Sequence, residues 1–199
     1  MDNRMDNYLT ELKETLKILN RQQKLVFAFW ISKRLFSNYA FFHKETSFGD
    51  IDVLLDGLSL IDRYLFIDST FVKDEVIKCI AQIDENTPDT NDYSQITVSF
   101  ALDACVALTE SLSYILDNND QRIVNVASCA RDTVDMFVQE KEELNYDDSE
   151  FEFKIQNDEF MKNEIRAQRD FFSRIKASDF TSLRSNITFD EIIKLDLLI

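Results

Sequence analysis

A chain of 199 residues with only two glycines and one proline has little from which to build turns or glycine-rich phosphate loops, so it reads as helix nearly throughout. Its formal charge of −15, from 37 acidic against 22 basic residues, repels nucleic-acid phosphates and anionic membrane surfaces. One hydrophobic core suffices at this length, and 17 phenylalanines, six tyrosines and a tryptophan make it aromatic-rich enough to fold without metals or disulfides.

Residues 5–19 place Met5, Leu9, Leu12, Leu16 and Leu19 at helical spacing, which predicts an amphipathic opening helix within residues 1–20. Its charges distinguish it from a secretory leader. Residues 21–36 are apolar nearly all round at their centre, so this helix is central and Trp30 belongs to the core; the apolar run itself, residues 25–31, is too short to span a bilayer. Ser37 and Asn38 are expected to stop it and to cap a short helix through Phe41, Phe42 and His43. Gly49 then ends that helix in the left-handed conformation, and Asp50 caps the next. Over residues 50–66, Ile51, Leu54, Leu58, Ile61 and Leu65 form one stripe, with Gly57 off it at a cost of about 1 kcal/mol relative to alanine. Val72, Val76, Ile80 and Ile83 mark a further helix, closed by Thr87 and Pro88, and residues 84–94 form the one long loop.

Residues 95–117 and 120–143 read as a helical hairpin. Its first helix turns Ala101, Ala104, Cys105, Leu108, Leu112 and Ile115 inward, its second Ile123, Ala127, Ala130, Val134 and Phe137. After an acidic link, residues 145–150, one long helix over residues 149–178 is predicted with two apolar stripes. One runs through Phe151, Ile155, Met161, Ile165 and Phe172, the other through Phe153, Phe160, Ala167 and Phe171, about 120° apart. Such a helix is either wedged between two layers of its own fold or meets another chain, which makes Phe153, Phe160 and Phe171 interface candidates. Thr188 and Glu191 have capping-box spacing for a terminal helix or docking tail within residues 187–199. No repeat or linker divides the chain, so residues 1–199 are expected to form one all-α domain, a multi-helix bundle with a central hairpin and a long C-terminal helix.

Catalytic signals are sparse. His43 is the sole histidine, which leaves no two-histidine mechanism and no Glu-x-x-His pairs for a di-metal bundle; it reads better as a capping or core residue. Cys79, Cys105 and Cys129 lack CxxC spacing and lie in apolar pattern, as buried reduced thiols do, which favours a cytoplasmic location. Asp103 interrupts an apolar run but falls on a stripe with Ser99, Val106 and Glu110, where it faces water or pairs with Arg131 of the facing helix. Glu110, Asp132 and Asp135 are the nearest approach to an all-oxygen cation site, and acidic helices produce such groupings by chance. No metal site and no cofactor are assigned.

The stretch Ser37-Asn38-Tyr39-Ala40-Phe41-Phe42-His43-Lys44-Glu45-Thr46-Ser47-Phe48-Gly49-Asp50, followed by Ala101-Leu102-Asp103-Ala104-Cys105-Val106-Ala107-Leu108, resembles the bacterial YjaG-like family, a domain-of-unknown-function family numbered four hundred and sixteen. The likeness runs over about residues 22–186, and residues 187–199 depart from it as a C-terminal extension. It implies an all-helical single domain with no established activity. It places emphasis on Tyr39, Phe42, Thr46, Phe48, Gly49, Asp50, Asp103 and Cys105, with no role attached to any of them.

Charge points to binding. Residues 74–120 hold ten acids against Lys78, and residues 132–164 twelve acids against three bases, whereas residues 13–44 hold seven bases and one acid. The expected function is a non-catalytic, cytoplasmic, acidic protein-binding module, in one version an inhibitor or immunity-type protein for a basic partner, with no nucleic-acid or membrane partner. The rival is a small-molecule or metal-dependent enzyme with a pocket near Tyr39, His43, Asp50 and Asp103. A structural homodimer is the third reading.

Overall fold

A computed structural model describes residues 4–70, 73–178, 180–190 and 192–193, and among them the fold is all-α. Helix α1 (Arg4–Lys17) buries Tyr8, Leu12 and Leu16, and the turn after it buries Leu19. The side chain of Met5 and the whole of Val72 lie outside the described residues. Asn20 opens α2 (Arg21–Thr46) with a reciprocal capping box: its side chain accepts from Gln23 N at 2.9 Å and its own N–H donates to Gln23 Oε1 at 3.0 Å.

Helix α2 does not stop at Ser37 and Asn38. It runs unbroken for 26 residues, because Ser37 Oγ donates back to Arg34 O at 2.9 Å and Asn38 is buried against neighbouring helices. Residues that favour turns by local hydrogen bonding remain helical when tertiary packing covers them. Helix α2 lies chiefly against α5 (Thr97–Asp117), with α3 (Ile51–Phe66), α6 (Asp120–Lys141) and α8 (Glu159–Ala177) around it. Trp30 is in this core, stacked on Phe171 with ring centroids 4.2 Å apart.

The hairpin α5–α6 forms as its pattern predicts, turned by Asn118 at φ 53° and capped by Asn119. By length and composition α5 is apolar enough to cross a membrane, and in this fold that apolarity packs against α2, α4 (Lys73–Glu85) and α6. Gly57 belongs to the packing face of α3 rather than to its exterior. A Cβ there would come within 3.0 Å of Leu108 Cδ2 and 3.2 Å of Ile83 Cδ1. Gly57→Ala is therefore expected to forfeit the roughly 1 kcal/mol that helix propensity alone would add, and to melt no higher than wild type. A raised melting temperature would show that Leu108 and Ile83 move aside freely.

The single long helix expected over residues 149–178 is two. Helix α7 (Phe151–Asn157) ends at Asp158, whose extended backbone and carboxylate cap α8 by accepting from Phe160 N at 2.7 Å. The break changes the geometry of both apolar stripes. Phe171 is buried on Trp30, and half-buried Phe160 meets the Phe137 ring edge-on at 4.9 Å. Phe153 alone stays out, 63% exposed.

Beyond α8, helix α9 (Phe180–Leu183) and a 3₁₀ turn (Arg184–Asn186) lead to Ile187 and Ile193, both buried. The chain therefore docks as far as Ile193, with Lys33 Nζ donating to Ile187 O at 3.1 Å. Residues 187–190 are not helical, and Thr188 hydrogen-bonds the Asp190 carboxylate; Glu191 and residues 194–199 lie outside the described residues.

Candidate functional site

The residues singled out around residue 39–50 come together as a joint between α2 and α3. Tyr39, Phe42 and Thr46 follow one another at helical spacing on the last turns of α2. Thr46 Oγ1 donates to Phe42 O at 2.7 Å and accepts from Phe48 N at 3.2 Å, while His43 Nδ1–H donates to Phe48 O at 2.8 Å. Histidine and threonine thus satisfy backbone groups released where the helix ends. Ser47 provides the left-handed stop at φ 58°, one position pair before Gly49, which also has positive φ at 70°. Asp50 caps α3 as predicted, accepting from Asp52 N at 3.0 Å.

Asn86, in the loop after α4, ties this joint to the rest of the molecule. Its carbonyl accepts the Tyr39 hydroxyl at 3.0 Å, its side-chain oxygen accepts Asp50 N–H at 2.8 Å, and its amide donates to Gln82 O at 2.9 Å. Cys105 of α5 lies beneath, its Sγ 3.9 Å from the same Asn86 carbonyl. The Phe42, Phe48 and Tyr93 rings close the other side, with Phe42 edge-on to Tyr93 at 4.9 Å. Asn86 and Tyr93 carry no recognisable sequence signal, since Asn86 meets Asp50 and Tyr39 from 36 and 47 positions away and Tyr93 meets Phe42 and Phe48 from a comparable separation.

Electrostatics here favour inert groups. Burial pushes the Tyr39 phenol well above its ordinary range and the Cys105 thiol up to about 12. Cys79 rises to about 11 and Cys129 well above its usual value for the same reason, so all three buried thiols stay protonated near neutrality.

Asp103 is apart from the joint, on the side of α5 that meets α6. It is half-buried rather than solvated, and its partner is Thr133, whose hydroxyl donates to Asp103 Oδ2 at 2.8 Å. Arg131, the expected partner, is instead buried with its guanidinium 5.4 Å from the Tyr8 ring. Two residues of helix phase, about 200°, separate Thr133 from Arg131, so the two face nearly opposite ways. Burial raises the Asp103 carboxyl to about 7. A folded pKa above the unfolded value of roughly 4 means that the protonated form favours the fold, and that this contribution is lost as pH rises from about 4 through 7. Asp103→Asn, which retains an acceptor for Thr133, is expected to match wild type near pH 4 and exceed it near pH 8. Urea midpoints at the two pH values decide this, and parallel profiles would contradict it.

Glu110 and Asp135 are engaged separately, with Arg122 at 3.1 Å and Gln139 at 2.5 Å, and among the described residues no three His, Cys, Asp or Glu side chains are grouped to hold a metal ion. A polar network that no sequence pattern announced lies inside the bundle. Arg34 and Glu164 form a bidentate buried pair at 2.7 and 3.1 Å; Gln168 Nε2 donates to Glu164 Oε1 at 2.8 Å, and the Tyr8 hydroxyl donates to Gln168.

Among the described residues the clefts open to solvent include the following two. One, of about 520 Å³ between α2 and α3, is lined by Phe36, Phe41, Lys44, Leu55 and Phe189 among others. The second, of about 430 Å³, lies between the end of α6 and α7. Tyr39, His43, Asp50 and Asp103 line neither.

A family model described as "Protein of unknown function (DUF416)" matches residues 11–192. The match extends past residue 186, so the segment up to residue 192 follows the family pattern and is not an extension. The "Uncharacterized protein YjaG" of Salmonella typhimurium (strain LT2) is 33% identical over 102 residues, and that of Escherichia coli (strain K12) 31%. Those alignments cover 48% of this chain and 47% of the relative, so the chain spans about half the length of the curated relatives it matches. A crystal structure of a DUF416 family protein from Shewanella baltica OS155 superposes with a TM-score of 0.78 at 26% identity, covering 87% of this chain and 91% of that one.

Proposed function

We propose, from the premise that the chain belongs to the DUF416 family, that it is a non-catalytic protein-binding module whose acidic surface takes a basic protein partner. The observation that carries this reading is the use made of the motif residues. Tyr39, Thr46, Gly49, Asp50 and His43 hold a helix joint together by hydrogen bonds and close packing, and among the described residues they line neither of the two clefts. Binding chemistry is then left to the surface. On α4 and the following loop Asp74, Glu75, Asp84, Glu85, Asp89 and Asp92 are exposed, against the two bases Lys73 and Lys78. An inhibitor or immunity-type role against a basic protein is the concrete version, and a cytoplasmic location fits the three reduced thiols.

Attraction between exposed charges is screened over about 8 Å at physiological ionic strength. A partner captured on the native protein from its host should therefore be basic, retained at low salt and released at high salt. A partner indifferent to salt, or turnover of a small molecule abolished by Asp103→Asn, would replace this reading with another.

A further inference from the structure

The α6–α7 elbow presents an apolar groove that none of the described residues covers. Its floor is Val138 and Leu144, its wall is the exposed ring of Phe153, and three carboxylates, Glu142, Glu150 and Asp158, stand around it against one base, Lys154. Beside it Tyr146 is 77% exposed, its ring stacked on Phe151 at 4.6 Å. Glu143 turns the chain here with φ 48°, and Leu144 N donates to Gln139 O at 3.0 Å, so the elbow is a hydrogen-bonded helix stop that fixes the groove's shape. An exposed ring against an apolar floor, with a second exposed ring on the same elbow, is the composition of an interface centre, where aromatic anchors supply most of the binding energy.

Charge selects the occupant. From residue 140 to residue 154 seven carboxylates face two lysines, and both lysines are already paired, Lys141 with Glu142 at 2.6 Å and Lys154 with Asp148 at 2.6 Å. Glu140, Glu143, Asp147, Glu150 and Glu152 form no salt bridge among the described residues. We propose that this groove is the docking site for a basic segment of a partner protein, whose apolar side chain enters against Val138, Leu144 and Phe153 while flanking lysines or arginines meet Glu142 and Glu150. The proposal rests on the basic-partner reading above and adds where on the molecule the partner binds. A second copy of this elbow is the poorer occupant, since it would bring like charges together.

The probe is a fluorescein-labelled synthetic peptide of lysine and leucine in amphipathic helical order, with a serine-for-leucine version of equal charge, titrated by anisotropy against the full chain at low salt. Wild type should bind the leucine peptide about tenfold more tightly than the serine peptide. Phe153→Ala should remove about that factor, and Glu142→Gln with Glu150→Gln should weaken binding of both peptides. The Phe153 ring is exposed, so an unchanged thermal midpoint accompanies the loss. Equal binding of the two peptides, or Phe153→Ala binding as wild type does, would overturn the groove while leaving the basic-partner reading intact. Wild type binding neither peptide would overturn both. A wild-type dimer that Phe153→Ala disperses would assign the groove to a second copy of the chain.

Discussion

Gly49→Ala is expected to destabilise the protein by about 2–4 kcal/mol, from two costs that act together. Gly49 has φ 70°, where a side chain is strained whatever the space around it. There is also no space: the new Cβ would lie 2.1 Å from the Tyr39 hydroxyl oxygen, so the phenol must leave its hydrogen bond to Asn86 or the joint must open. Tyr39→Phe separates the two costs. With the hydroxyl gone the nearest remaining ring atom, Tyr39 Cζ in wild type, stands 3.3 Å from that Cβ, a contact a small shift relieves. The double variant should thus lose less than the sum of the single ones, with a coupling of about 1 kcal/mol or more in a denaturation cycle. Additive losses would mean that Gly49 is needed for its backbone conformation alone.

Glu164→Leu carries the other large expected effect, about 3–5 kcal/mol, because it strands the Arg34 guanidinium inside the bundle. Arg34 and Glu164 are both buried, and Glu164 Oε1 also receives Gln168. Replacing both partners, as Arg34→Met with Glu164→Leu, leaves neither member of this pair buried and unpaired and should recover most of the loss. The exposed pair Arg169–Glu11 is the internal standard: each of its side chains is about half in solvent, and breaking it should cost no more than about 1 kcal/mol. Equal losses at the two pairs, read from urea midpoints, would show that the buried network tolerates an unpaired charge through rearrangement.

Local chemistry made much of this molecule legible. Asp50 as a cap, Gly49 at positive φ, the 97–141 hairpin and its inward residues, and the burial of Trp30 all follow from periodicity and from side chains acting within a few positions of their own backbone. Where the same local rules failed, tertiary contact overrode them. Ser37 and Asn38 look like a helix stop, yet α5 and its neighbours cover that surface and the helix continues. Gly57 looks external on its own helix because Leu108 and Ile83, which need its missing side chain, are far away in sequence. Asp158 was a legible cap type inside a pattern whose stripes continued on both sides of it, and the stripes masked the break.

By itself the sequence determined an all-helical, acidic chain of one family, with its helix faces and its α2–α3 joint, since these depend on spacing along the chain and on composition. Only the tertiary structure decided that the joint closes on Asn86, that Asp103 meets Thr133 and not Arg131, that Phe171 is core while Phe153 is surface, and that Arg34 meets Glu164. Those outcomes depend on side chains that arrive from far along the chain, 30 positions for Asp103 and Thr133 and 130 for Arg34 and Glu164. Helix phase sets the direction a residue faces, but packing of whole helices sets what it finds there.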